Sequence, residues 1–292
     1  MKSPPAHIHA MDDPLVYLNG AMMPLSEARI SVLDRGFIFG DGIYEVTPVY
    51  QRKLFRPEQH LARFMRGIRA IDLQNPHDEA GWLGLMQQVV DAAPTEDQLL
   101  YMQITRGVAR RTHAFPAQTP APTVFLMSNP LLPPPPSVHE QGVACVTMED
   151  KRWLRCEIKS ISLLGNVLAA QNAAEQDANE TIQFRDGYLT EGSASNVWIV
   201  KDDTLISPPR DNLILEGIRY NLMEALCAEE GIPFAARRIA RNEVFHADEV
   251  LLTSAAREVM PVVVIDGERV GNGKPGPIYK KLYAAYQRAK VA

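Results

Sequence analysis

The chain has little cysteine, no excess of positive charge and no long apolar run, and each shortage closes off a class of protein. Its three cysteines, Cys145, Cys156 and Cys227, are an odd number and include no Cys-x-x-Cys spacing. That argues against a disulfide framework or a zinc site and points to a reducing compartment, the cytoplasm. Lys and Arg number 30 against 35 Asp and Glu, a net charge of -5, whereas nucleic-acid binders carry a basic excess on one face. No apolar run approaches the length of a bilayer span, so no membrane partner is expected. The opening "MKSPPAHIHAMDDP" lacks the apolar stretch of a secretory signal. Residues 1–14 read as a mobile tail rather than a metal site built on His7 and His9.

What is present is a globular composition, 46% hydrophobic and 22% charged, on a chain of 292 residues that is long enough for two domains. "LVYLNGAMMPL" alternates around Asn19-Gly20, a hairpin signal, and "GIYEVTPVYQRKLF" predicts two strands turning near Gln51-Arg52. "PEQHLARFMRGIRAIDL" changes period: Leu61, Phe64, Ile68 and Ile71 fall at helical spacing behind Pro57. A second helix is expected over "EAGWLGLMQQVVDAA", and strands over "QLLYMQITRG" and "TVFLMS". Residues 15–129 therefore read as an α+β domain with a largely antiparallel sheet. The four prolines of "SNPLLPPPPSVHEQG" favour extended chain and break helix and strand, marking a linker over 130–140. Residues 141–292 form a larger domain of strands and helices, with a helix over "IRYNLMEALCAEEG" stopped by Gly231 and a last helix over "PIYKKLYAAYQRAKVA". The whole is α+β to α/β.

Several residues are placed for chemistry. In "IKSISLL", strand alternation puts Lys159 on one face with Ile161 and Leu163. Such a lysine either snorkels at a sheet rim or sits desolvated, where a lowered pKa makes its amine a nucleophile. Glu191 in "GYLTEGSASNV" ends a strand before Gly and small hydroxyl residues; it either meets a ligand or lies in a solvated turn. Arg63, in line with His60 and Gly67, faces the margin of the first helix's apolar stripe and either binds an anion or closes an ion pair. "LEGIR" (215–219) opens a helix after Gly217, which exposes N–H groups suited to phosphate, and "LTSAAR" (252–257) is a second loop after a strand. "TRGVARRTHAFP" concentrates Arg110, Arg111 and His113 in an acidic chain. Together these suit a phosphorylated carbonyl cofactor.

"EARISVLDRGFIFGDGIYEV", "HLARF", "EIKSISLLGNVLAAQ", "LTEGSASNVWIV" and "LEGIR", in that order, resemble the fold-type IV pyridoxal-phosphate enzymes, the class IV aminotransferases. The resemblance implies a two-domain architecture with a smaller N-terminal α/β domain and a larger, β-barrel-like C-terminal domain that binds pyridoxal 5'-phosphate. It implies that Lys159 carries the cofactor and moves the α-proton, and that Glu191 keeps the pyridine nitrogen protonated. It also implies that Arg63 binds the phosphate and Leu215 packs on the ring. The backbone at Ile218 and Arg219, with Ser254 and Ala255, completes the phosphate site. Arg111-Thr112-His113 before Phe115-Pro116 is similar to the D-amino-acid branch, in which the arginine and histidine, with Tyr44, trap the substrate α-carboxylate. "RWLRCEIKS" also resembles that branch. The expected reaction is ping-pong transfer from a D-amino acid, D-alanine by default, to a 2-oxo acid (2-oxoglutarate or pyruvate) by a homodimer. Within the family the alternatives are a lyase of aminodeoxychorismate and a branched-chain L-amino-acid aminotransferase; outside it, a non-catalytic anion-binding module. Three residues depart from the pattern: Arg219 stands where threonine is common, Ala255 where a hydroxyl is usual, and Ala194 where serine is. Pro48, on the substrate-side strand, bears on side-chain preference.

Overall fold

A computed structural model describes residues 13–291. The tail reading and the two histidines within it fall, for residues 1–12, outside the described part. The chain divides into two compact units: one runs through Leu131 and takes in Ser160–Ser162, and the other comprises Leu132–Lys159 and everything from Leu163. No described helix is long and apolar enough to cross a membrane.

The first unit holds β1 (Leu15–Leu18), β2 (Ala21–Pro24), α1 (Arg35–Phe39), β3 (Gly42–Tyr50), β4 (Lys53–Leu54), α2 (Pro57–Ala70), α3 (Glu79–Ala92), β5 (Gln98–Thr105) and β6 (Thr123–Pro130). Its strands form one antiparallel sheet in the order β2-β1-β6-β5-β3-β4. The first hairpin turns through Asn19 and Gly20, both at positive φ, and the second through Gln51 and Arg52, also both at positive φ. Those dihedrals match the right-handed twist of paired strands. Pro57 opens α2, whose Leu61, Phe64 and Ile68 are buried. Phe64 meets Trp82 of α3 edge-on at 5.1 Å, joining both helices over the sheet. The short helix α1 has no apolar periodicity to announce it. It forms because Asp34 accepts the N–H of Gly36 at its start and Gly40 closes it at φ 67°.

The second unit holds α4 (Pro136–Gln141), β7 (Val143–Glu149), α5 (Leu164–Glu175), β8 (Glu180–Arg185), β9 (Tyr188–Gly192), β10 (Asn196–Lys201), β11 (Thr204–Ser207), α6 (Ile218–Glu230), β12 (Phe234–Ala236), α7 (Arg241–Phe245), β13 (Glu249–Ser254), β14 (Glu258–Ile265), β15 (Glu268–Arg269) and α8 (Pro277–Val291). The sheet order is β12-β11-β10-β13-β14-β7-β8-β9, with β15 beside β14. β7 runs parallel to both its neighbours. Ile182, Val197, Ile199, Val250, Leu252, Val262 and Ile265 centre its core. The proline run is not wholly extended: Pro135 keeps polyproline dihedrals, but Pro136 begins α4. Proline is tolerated there because a first-turn N–H has no partner within the helix.

Candidate active site

Lys159 does not lie on a strand. The segment before α5 is a succession of turns, with Ile158 N–H donating to the carbonyl of Arg155 at 3.2 Å. Ser160 meets Ile43 in an isolated bridge and not in a strand. The alternation argument fails because the apolar residues around Lys159 point by local turns and not by a two-residue period. Lys159 itself is half-buried.

Glu191 ends β9 and is buried, which removes the solvated-turn reading. Its Oε1 accepts from Nη1 of Arg152 at 2.5 Å and its Oε2 from the N–H of Leu215 at 2.9 Å. Arg152, 7% exposed, also donates Nε and Nη2 to Asp150 at 3.0 and 2.9 Å. Asp150 further holds Arg185 at 3.0 Å and the Thr190 hydroxyl at 2.9 Å. The two carboxylates respond oppositely. Burial raises the Glu191 carboxyl above the ordinary range, outweighing Arg152 and the Leu215 N–H. Burial pushes Asp150 the same way, but there the hydrogen bonds and charge of Arg152 prevail and hold it low. Arg152 was not singled out for a role, although "RWLRCEIKS", which it opens, carried part of the resemblance and "EDKRWLRCE" is densely charged.

A second organising acid, Glu180, was also missed. It is 1% exposed and lies beneath the turn after Glu191. It accepts the N–H groups of Thr181 and Ser193 at 2.8 and 2.9 Å, the Ser195 hydroxyl at 2.9 Å, and the Ser193 hydroxyl. A buried acid at the start of a strand, β8, was the available clue.

The two backbone-rich loops meet in this unit. Asn196 Nδ2 donates to the Leu215 carbonyl at 2.9 Å, so Leu215 is fixed through both its N–H and its C=O. Gly217 precedes α6, and a Cβ there would lie 2.0 Å from Asn196 Oδ1. A side chain at 217 would displace the Asn196 amide that holds the Leu215 carbonyl. No side chain caps α6, whose 13 residues leave first-turn N–H groups for an anion. Ser254 Oγ accepts the Arg257 N–H at 3.2 Å, and Ala255 offers its carbonyl to Nη2 of Arg219 at 3.3 Å. Arg219, 3% exposed, thus joins the helix start to the second loop. Arg257 ties that loop to Glu180 at 3.4 Å and to the Asn179 carbonyl at 3.0 Å. Ile218 is buried; Ser254 and Ala255 are half-buried.

In the first unit, Arg63 closes the ion pair that was its alternative reading. Its Nε and Nη2 donate to the two oxygens of Glu45 at 2.8 and 2.6 Å, and His60 Nδ1 lies 3.0 Å from the same carboxylate. Burial alone would raise the Glu45 carboxyl, but Arg63 and His60 outweigh it and hold it well below the ordinary range. Tyr44 is half-buried and stacks on Tyr101 at 5.7 Å; burial pushes the Tyr101 phenol up to about 12. Arg110, Arg111 and His113 are all exposed. The ring of Phe39 lies 5.4 Å from the Arg111 guanidinium and 5.5 Å from the His113 ring.

Residues 42–265 match the family model for amino-transferase class IV. A D-alanine aminotransferase of Bacillus licheniformis is 38% identical over 275 residues, spanning 94% of this chain and 96% of its own. One of Staphylococcus aureus is 40% identical over 273 residues, with the same coverage. Among solved structures, the branched-chain amino acid aminotransferase of Escherichia coli superposes with a TM-score of 0.85 at 23% identity, covering 94% of this chain and 93% of that one. A hypothetical aminotransferase from Mycobacterium tuberculosis in its PLP-bound form gives 0.82 at 24%, over 95% and 99%. At these identities the structural likeness speaks for the fold alone.

Proposed function

The chain belongs to the class IV aminotransferase family, and from that premise we propose that it transfers the amino group of a D-amino acid, D-alanine by default, to a 2-oxo acid such as 2-oxoglutarate or pyruvate. The cofactor of the family is pyridoxal 5'-phosphate, and the residues present fit it. There is a half-buried amine at Lys159, a buried carboxylate at Glu191, and an uncapped helix start beside Ser254 whose glycine allows close backbone approach.

When bound, the cofactor supplies an electron-withdrawing ring that stabilises negative charge developing at the substrate α-carbon. Lys159 Nζ takes and returns the α-proton. Glu191 would serve as the carboxylate that keeps the ring nitrogen protonated, because it is buried and both its oxygens are fixed, by Arg152 and by the Leu215 N–H. Leu215 packs on the ring. The N–H groups of Ile218 and Arg219, with Ser254 and the backbone at Ala255, would receive the phosphate. Where a hydroxyl is missing at Ala255, the Arg219 guanidinium steadies that loop instead.

The observation that carries the D-specific reading is the pair Arg111 and His113, gathered around Phe39 on the unit that also holds Tyr44. Two cationic or donor groups and a phenol bind one carboxylate in one orientation, and fixing it lets only one enantiomer present its α-hydrogen to a fixed base. The relatives named as D-alanine aminotransferases support the same assignment. A homodimer is the proposed assembly; Leu164, Val167 and Leu168 leave an exposed apolar stripe on α5 that suits a second copy. The proposed compartment is the cytoplasm, which three unpaired buried cysteines support. Initial rates with paired D- and L-amino acids and two 2-oxo acid acceptors test the assignment. Transfer from D-alanine and not L-alanine is expected; transfer confined to L-amino acids, or from neither series, would overturn it.

A further inference from the structure

The loop between β5 and β6 has no regular structure over most of its length, and Arg111, Thr112 and His113 are exposed in it. An exposed polar loop is ordinarily loose, whereas a carboxylate trap needs its donors held in place. Three features of the "LDRGFIFGDG" segment answer that need. Asp34 accepts the hydroxyls of Thr105 at 3.0 Å and Thr123 at 2.6 Å, the residues at which β5 ends and β6 begins, so one carboxylate clamps both stems of the loop. Arg35, 3% exposed, donates Nη1 to the Thr112 carbonyl at 2.7 Å and Nη2 to the His113 carbonyl at 3.3 Å. Its Nε is anchored on Asp41 at 2.7 Å, and Asp41 also holds Arg106, which lies 3.7 Å over the Phe115 ring. Phe39 then packs against the Arg35 guanidinium at 4.8 Å as well as against Arg111 and His113.

We propose that Arg35 and Phe39 are positioning residues for substrate binding: Arg35 grips the backbone of Thr112 and His113, and Phe39 orients the side chains of Arg111 and His113, so that this pair meets the substrate carboxylate in one arrangement. The inference rests on the reading of Arg111 and His113 as the carboxylate trap. A guanidinium is needed because its planar fork reaches two carbonyls while keeping a third donor on Asp41; a lysine amine at position 35 has no such fork. The grip acts through Arg111 and His113, so once Arg111 is gone its loss acts only through His113 and costs much less.

A double-mutant cycle on the full-length holoenzyme reads this directly. Arg35→Lys and Phe39→Leu are each expected to raise the KM for D-alanine by about tenfold in the parent and by less than about twofold in an Arg111→Ala background. Amide hydrogen exchange over residues 107–116 should speed up in Arg35→Lys. Equal KM effects in both backgrounds, or unchanged exchange, would overturn the inference. If Arg35→Lys does not fold, Phe39→Leu, which leaves the Arg35–Asp41–Arg106 network intact, decides through the same cycle. Should Arg111→Ala raise KM while neither positioning variant does, only this inference falls. Should Arg111→Ala itself leave KM unchanged, the trap reading falls and takes the inference with it.

Discussion

Replacing Arg152 with methionine removes one cation from two buried carboxylates. The variant loses the 2.5 Å contact to Glu191 and both donors to Asp150. Asp150 keeps Arg185 and Thr190, so the damage falls mainly on Glu191, left with the Leu215 N–H at 2.9 Å. Breaking a buried ion pair from one side typically costs about 3–5 kcal/mol, because the remaining charge stays buried uncompensated. The size depends on pH through Glu191. Glu191 has a raised folded pKa, so its stabilising contribution is present below the unfolded value and lost as pH rises through the folded one; without Arg152 that loss deepens. Asp150 has a lowered folded pKa, so its contribution is lost only as pH falls below the unfolded carboxylate value, and above that value it leaves the difference to Glu191. Urea unfolding of the cofactor-free protein should therefore show the full cost of Arg152→Met near about pH 8 and a clearly smaller one near about pH 5. A loss of equal size at the two pH values would refute the reasoning, since it would mean that Arg152 does not act through the charge of Glu191.

Three further outcomes are expected. Gly217→Ala drives a Cβ to 2.0 Å from Asn196 Oδ1, an overpacking of about 1–3 kcal/mol, and spectral titration with pyridoxal phosphate should find affinity weakened by roughly ten- to hundredfold; unaltered affinity would detach this loop from the cofactor. Glu249→Ala strips the acceptor from the N–H groups of Ile278 and Tyr279, each at 2.8 Å, and should cost about 1–2 kcal/mol in chemical unfolding. Arg111→Ala should raise the KM for D-alanine roughly ten- to hundredfold, the worth of a charged hydrogen bond, while the colour of the bound cofactor persists.

Periodicity and turn chemistry made much of the fold legible. Asn19-Gly20 and Gln51-Arg52 turn where expected, and Leu61, Phe64 and Ile68 are buried as their spacing requires. Local signals misled where contacts from far along the chain decide. Lys159 sits in turns because Cys156 is bound to the carbonyl of Asn212, 56 residues on, and no two-residue pattern encodes that. The helix at Pro136 was hidden by a proline run whose last member happens to fit a first turn. At the site, Glu191 and the loop starting at Gly217 were visible because a special residue marks each. Arg152 and Glu180 were not, since their importance lies in partners brought by other strands. Arg111 and His113 were legible as a motif, but their exposure and the bonds to their loop from Arg35, 76 positions before Arg111, were not.

The central claim is that Lys159 moves the α-proton of a D-amino acid and leaves its mirror image alone. Proton NMR of alanine in heavy water follows that step without a second substrate. With the holoenzyme, the α-hydrogen of D-alanine should exchange while that of L-alanine stays, and Lys159→Ala should abolish the exchange. Exchange of L-alanine at a comparable rate, or exchange of D-alanine that survives Lys159→Ala, would contradict the account.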